Sequence, residues 1–167
     1  LHVETRRVFI TPSTLHPNEE WICEQAQAFT KYAQKEKLGA DIVMHDRDTK
    51  FSAKFDATLQ AAGLRVQKSS FRSPNTMAYV ARFIQTLQQK CLSHFIVFGE
   101  RHLNHLCSVF GDFYHRLRPH QGKDNDLLVV KRQRKKKPDA EEVISLSEVR
   151  CQQKLGGLLR HYYRKAA

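Results

Sequence analysis

Ala40-Asp41-Ile42-Val43-Met44-His45-Asp46-Arg47-Asp48-Thr49-Lys50-Phe51 is the stretch on which the fold turns. Its first half is short and largely apolar and its second half is polar, the pattern of a buried central strand with a functional tip. Asp46 falls at the carboxyl edge of that strand. A helix is expected over 52–62, closed by Gly63, because glycine takes the left-handed conformation that ends a helix at no steric cost. Leu64-Arg65-Val66-Gln67 then reads as a further strand.

Working upstream, Leu1 to Ile10 alternates partly and is rich in β-formers, so the end of one strand, a turn at Arg6-Arg7 and a second strand are expected. Pro17 followed by Glu19 and Glu20 makes a helix start, and Ile22, Ala26, Phe29 and Ala33 recur at helical spacing to about Lys37. The accumulated order of strand, helix, strand, helix, strand is that of an α/β fold. Downstream, Ser73-Pro74 marks a loop before a helix with the apolar stripe Met77, Val80, Ala81, Ile84 and Leu87. A bridge over His94-Phe95-Ile96-Val97-Phe98 leads to a helix carrying Leu103, Leu106, Phe110, Phe113, Tyr114 and Leu117, which Arg118-Pro119-His120 ends. A basic run, Lys131 to Lys137, reads as a solvated linker before a last amphipathic piece, Cys151 to Tyr163. There is no internal repeat.

Composition narrows the partners. The chain has 167 residues, 41% of them hydrophobic, which suits one globular body and a tail. Lys and Arg outnumber Asp and Glu by 28 to 17, and a net charge of +11 favours a polyanion, since each neutralised phosphate releases a counterion. Nucleic acid is the first expectation. No apolar run approaches the roughly 20 residues of a spanning helix and no secretory signal opens the chain, so a soluble cytoplasmic protein without a membrane partner is expected. Cys23, Cys91, Cys107 and Cys151 show no C-x-x-C pairing, which argues for reduced structural thiols over a zinc site. Of the nine histidines only His102 and His105 stand three apart in an expected helix, and they read as basic surface.

Taken alone, Asp46-Arg47-Asp48 is an ordinary turn and helix cap, roles that acidic residues fill after many strands. Its neighbourhood says more. His45-Asp46-Arg47-Asp48-Thr49-Lys50-Phe51 resembles the second-aspartate motif of the integrase core family, in which a strand ends in Asp and an aromatic begins the next helix. Thr14-Leu15-His16-Pro17-Asn18-Glu19-Glu20-Trp21, Ser73-Pro74-Asn75 with Ala78-Tyr79, Arg82-Phe83-Ile84-Gln85-Thr86-Leu87, the run from His94 to Leu103, and Arg118-Pro119-His120 are similar, in order, to landmarks of transposases encoded by bacterial insertion sequences. The closing stretch from Leu155 to Lys165 is similar to the tails of one bacterial branch.

The resemblance implies a ribonuclease-H-like α/β fold, with an integrase core over 1–122, a basic linker over 123–142 and a family tail over 143–167. It also implies DDE chemistry, in which three carboxylates hold two Mg2+ or Mn2+ ions about 3.5–4 Å apart to activate the attacking oxygen and stabilise the leaving one. Asp46 is then a catalytic metal ligand. Leu1 to Ile10 corresponds to the second strand and its hairpin, so the first strand and its Asp would lie upstream of this chain. The family's Glu falls directly before an Arg-Phe pair, where this chain has Ala81, with 34 residues between it and Asp46. Read without the family, Ala81 belongs to the apolar stripe of its helix. Asp48 stands two residues beyond Asp46, past the end of the strand where its direction is not set, Glu4 and Asp41 lie on expected strands but match no family ligand, and Lys90 replaces a residue often acidic in relatives. One carboxylate cannot clamp two ions, so ion binding and catalysis are expected to have failed.

DNA contact is a separate question. Arg82, Lys90, Arg101, Arg116, Arg118 and His120 belong to the two late helices and their exit, and read either as a phosphate-contacting face or as ordinary solvated surface. Lys131, Arg132, Arg134, Lys135, Lys136 and Lys137 suit a DNA-contacting tail or a solubilising linker equally. Arg118-Pro119-His120 fits a structural helix stop better than a catalytic group. The expected function is that of an integrase or transposase core, associated with DNA integration and defective in strand transfer, with DNA and a second copy of the chain as partners. The alternatives are a noncatalytic DNA-binding or oligomer-interface protein derived from a transposase, and a nuclease with a rearranged metal site.

Overall fold

The structure is a computed structural model of the chain and describes residues 1–70, 77–129 and 145–164. It is a mixed α/β protein with two small sheets. The chain divides into two compact units, Leu1–Asn104 and His105–Ala167, the division falling inside one helix.

In the first unit, α1 spans Glu19–Lys35. Asn18 caps it by accepting from the Trp21 amide, and Glu19 and Glu20 in the first turn face the positive end of the helix dipole. The helix closes without glycine: Lys37 adopts a φ of 49°, and the Leu38 amide reaches back to the Ala33 carbonyl. Strand β1, Ile42–His45, pairs in parallel with β2, Arg65–Lys68, with Val43 opposite Val66. Between them runs α2, Ala53–Ala61, capped by Ser52 through the Phe55 amide. Gly63 at φ 84° ends α2 as expected, its amide bonding Gln60 and the next amide, Leu64, bonding Leu59. The strand–helix–strand order and its boundaries are therefore borne out to within a residue or two, but β1 is not a buried central strand: its sheet has two strands among the described residues, Ile42 is exposed and only His45 of β1 is buried.

The core lies between α1, α2 and the strand pair. Ile22, Cys23 and Ala26 from α1 meet Phe55 and Leu59 from α2, with Leu64 closing the cluster and Val43 and Val66 packed against it. Removing a fully buried Ile, Leu or Phe side chain from water stabilises the fold by about 1.5–3 kcal/mol.

The opening segment differs from expectation. Leu1 to Ile10 forms no strand among the described residues; one turn over Val3–Thr5 is closed by the His2 amide on the Arg7 carbonyl, and Arg6 sits at φ 61°. Side-chain packing holds the segment instead of a ladder: Val8 is buried, and Phe9 lies 6.0 Å from the Phe29 ring and 5.0 Å from that of Tyr32, both on α1.

A second difference concerns α3, Ala78–Lys90. Its helical stripe is present but scarcely buried. Leu87 is enclosed and Met77 and Val80 are half-buried, whereas Ala81 is exposed and Ile84 is 47% exposed. The periodicity located the helix, but the described part of the first unit encloses only Leu87 of that stripe. Leu92–His94 is a single 3-10 turn, and the bridge beyond it leaves Ile96 and Phe98 exposed.

Helix α4 spans Gly99–Arg116. In the second unit its Leu106, Phe110 and Tyr114 are buried, as the apolar spacing predicts. The closing piece is a hairpin, β3 Val149–Lys154 paired antiparallel with β4 Leu159–Arg164, and its turn places Leu155, Gly156 and Gly157 at positive φ. Leu159 is its buried anchor, and Lys154 pairs with Asp112 of α4 at 2.9 Å.

Candidate functional site

Asp46 follows the last residue of β1, at the carboxyl end of a parallel strand pair, the edge at which open α/β sheets place their ligands. Its side chain is exposed. One oxygen, Oδ1, accepts the Asp48 amide at 3.0 Å, and Asp48 in turn accepts the Lys50 amide at 2.9 Å. These linked turns deliver the chain to Ser52, the cap of α2. The motif thus performs the ordinary turn role that its residue types allow, whatever else it does.

Beside it, His45 is 5% exposed, wedged against the rings of Phe51 at 4.8 Å and Phe55 at 5.6 Å. Its Nε2 lies 3.0 Å from Asp56 Oδ1, and its Nδ1 meets the Asp46 carbonyl. Both ring nitrogens therefore face acceptors, which fixes the ring and, through it, the end of β1. Lys68 reaches the other oxygen of Asp56 at 3.8 Å. Sequence reading missed this pair. The spacing of ten residues between His45 and Asp56 carries no signal until the helix has folded back beside its strand.

A cavity of about 600 Å3 opens next to β1. Asp46, Asp48 and Lys50 line it together with Trp21, Phe29 and Val80. Val80 brings the start of α3 to this space, and Ala81 is its neighbour in sequence. At another part of the wall, Arg7 pairs with Glu36, and Tyr32 offers its hydroxyl to the Val8 carbonyl at 3.4 Å. Burial pushes the Tyr32 phenol above its ordinary range, with Arg7 acting in the opposite direction. Arg6 stacks over the Tyr79 ring at 3.7 Å, a cation–π contact that ties the opening segment to α3.

Among the described residues no three His, Cys, Asp or Glu side chains converge as a metal centre would require. Asp46 is one carboxylate with one oxygen already committed to a turn, and Ala81 supplies no ligand. This donor set does not fit a two-ion centre.

The basic residues expected to meet DNA are divided between the units. Arg82, Lys90 and Arg101 are exposed in the first, Arg82 bonding Gln85 at 3.3 Å. In the second, Arg116 is exposed and paired with Asp112 at 3.0 Å, and Arg118 lies over the Tyr114 ring at 5.5 Å. His120 donates from Nε2 to the Tyr114 carbonyl at 2.8 Å and packs edge-on against that ring. Burial lowers its pKa from the ordinary histidine value, partly opposed by that hydrogen bond. Arg118 and His120 thus help to fasten the end of α4. Lys131, Arg132, Arg134, Lys135, Lys136 and Lys137, and Ser73-Pro74-Asn75, lie outside the described residues. No described helix is long and apolar enough to cross a membrane.

Compared with models of protein families and with curated proteins, the chain has no significant match.

Proposed function

We propose that this chain is a ribonuclease-H-like core of the integrase and insertion-sequence transposase type, a cytoplasmic DNA-handling protein associated with DNA integration and defective in strand transfer. The observation that carries the reading is Asp46, on an aspartate motif similar to the family's, at the carboxyl end of a parallel strand whose crossover helix begins just after Phe51. The ancestral reaction is magnesium-dependent displacement at a phosphodiester. Ala81 in the slot of the family's Glu removes one of the carboxylates that reaction needs beside Asp46. A net charge of +11 supports DNA as the partner, bound mainly through phosphates.

The exposed, turn-bonded state of Asp46 also favours a second reading, a noncatalytic DNA-binding or self-associating protein derived from such a core. Incubating the chain with duplex DNA and Mg2+ or Mn2+ tests the first reading. Salt-sensitive binding without cleavage or strand transfer is expected, and turnover would overturn the defective assignment. Sedimentation of the same samples separates a monomeric binder from one that works as a homo-oligomer.

A further inference from the structure

The C-terminal hairpin presents two unlike faces. In its antiparallel register Lys154 stands opposite Leu159, Gln152 opposite His161 and Arg150 opposite Tyr163, and these pairs share one face. That face is anchored at its turn end, where Leu159 is 4% exposed and Lys154 is tied to Asp112, while Arg150, Gln152 and Tyr163 at its far end are exposed. The other face carries Gln153 with Arg160, Cys151 with Tyr162 and Val149 with Arg164. Along β4 it reads Arg160, Tyr162, Arg164. All three are exposed, Tyr162 by 60%.

We propose that this outer face is a docking surface for an unpaired DNA strand, with Arg160 and Arg164 on phosphates and the Tyr162 ring stacked on a base between them. The inference rests on the reading of the chain as a DNA-handling protein. Its particulars come from charge and spacing. Between 145 and 164 the sequence has four Arg or Lys and a single acid, Glu148. Glu148 pairs with Arg164 on the exposed surface, a contact that contributes little and yields to a phosphate. Arg160 is steadied through Nε, which donates to the Gly157 carbonyl at 3.0 Å, so its guanidinium is oriented before any ligand arrives. Alternate residues of a strand stand about 6.5–7 Å apart on one face, which sets the two cations on either side of the ring. An aromatic between cations on an open ribbon is the arrangement by which proteins hold single strands without reading their sequence.

The test measures binding of fluorescent oligothymidylate, and of a blunt duplex of equal length, to the full chain between about 50 and 200 mM salt. Replacing both arginines, Arg160→Gln with Arg164→Gln, is expected to lower the salt slope on the single strand by about 1.4, or about 0.7 for each phosphate that is no longer neutralised. Tyr162→Ala is expected to weaken single-strand binding between about five- and a hundredfold with little effect on the blunt duplex, and Tyr162→Phe to restore it. Lys31→Gln, on the exposed side of α1, is the control for simple loss of charge. If the chain binds DNA but the hairpin variants behave as Lys31→Gln does, the docking surface is overturned and the DNA reading stands. If the chain binds neither probe at the lowest salt, both fall. If the same variants change the sedimenting mass without DNA, the face is an interface between copies and the proposal is overturned.

Discussion

Helices α1 and α3 are written in the same code, apolar residues at helical spacing with polar residues between, yet they fare differently. α1 buries Ile22, Cys23, Ala26, Thr30 and Ala33, whereas α3 buries Leu87 alone. Their ends differ as well: Asn18 caps α1, and Met77 at the start of α3 gives no side-chain cap. Spacing sets which side of a helix is apolar, while burial needs a second surface that spacing does not name. α1 finds one in α2 and β1. The described part of the first unit supplies little for α3 beyond what receives Leu87.

The sharpest way to break this contrast is at Leu59, 1% exposed where α2 meets α1. Leu59→Ala is expected to cost about 2–5 kcal/mol in urea unfolding, the range for deleting a buried leucine and leaving a cavity. A loss under about 1 kcal/mol would mean that the α1–α2 core is no better packed than α3.

Asp46 gives a smaller effect in the same region. Asp46→Ala removes the acceptor for the Asp48 amide and is expected to cost about 0.5–1.5 kcal/mol, while Asp46→Asn keeps an acceptor there and should stay close to the parent. Equal losses in the two variants would show that the negative charge, and not the turn, matters at this edge.

These effects follow the division between what is legible in the sequence and what is not. The strand–helix–strand centre is readable because its boundaries have local chemical causes: Ser52 before α2, Gly63 after it, and the apolar run Ile42-Val43-Met44 ahead of the polar turn, whereas β2 keeps only Val66 as an apolar residue. Leu1 to Ile10 departs from its expected hairpin because alternation records which side chains seek burial, and that is met without a ladder: Val8 is buried and Phe9 lies against Phe29 and Tyr32 of α1. The hairpin at the end is expected only as an amphipathic piece, although Arg160, Tyr162 and Arg164 alternate with period two. At the site, Asp46 and Ala81 can be read from a motif, whereas His45 and Asp56 meet only after the chain has folded.

The exit of α4 adds a pH-dependent contrast with the capped start of α1. The folded state lowers the His120 pKa, so it prefers the neutral ring. Its contribution to stability is therefore complete above the unfolded value of about 6.5 and is lost as pH falls through the lower folded value. Unfolding midpoints should decline as pH falls below about 6.5, and His120→Gln should remove its share of that decline. A decline that steepens in the variant would reverse the sign assigned to this residue.

The smallest expected effects lie on α3. Ile84 is 47% exposed, so Ile84→Gln should change stability by no more than about 0.5 kcal/mol, as surface substitutions do. Ala81→Glu should do the same: the new side chain enters solvent, and glutamate forms helix nearly as well as alanine. Both are read by urea unfolding at two protein concentrations. A cost above about 2 kcal/mol for Ile84→Gln that vanishes on dilution would show a second copy covering this face, and the difference between α1 and α3 would disappear in the assembly. The result for Ala81→Glu bears on the site as well. If the carboxylate is tolerated, packing did not require alanine at this position, and the apolar stripe ceases to explain why the residue in the glutamate slot is Ala81.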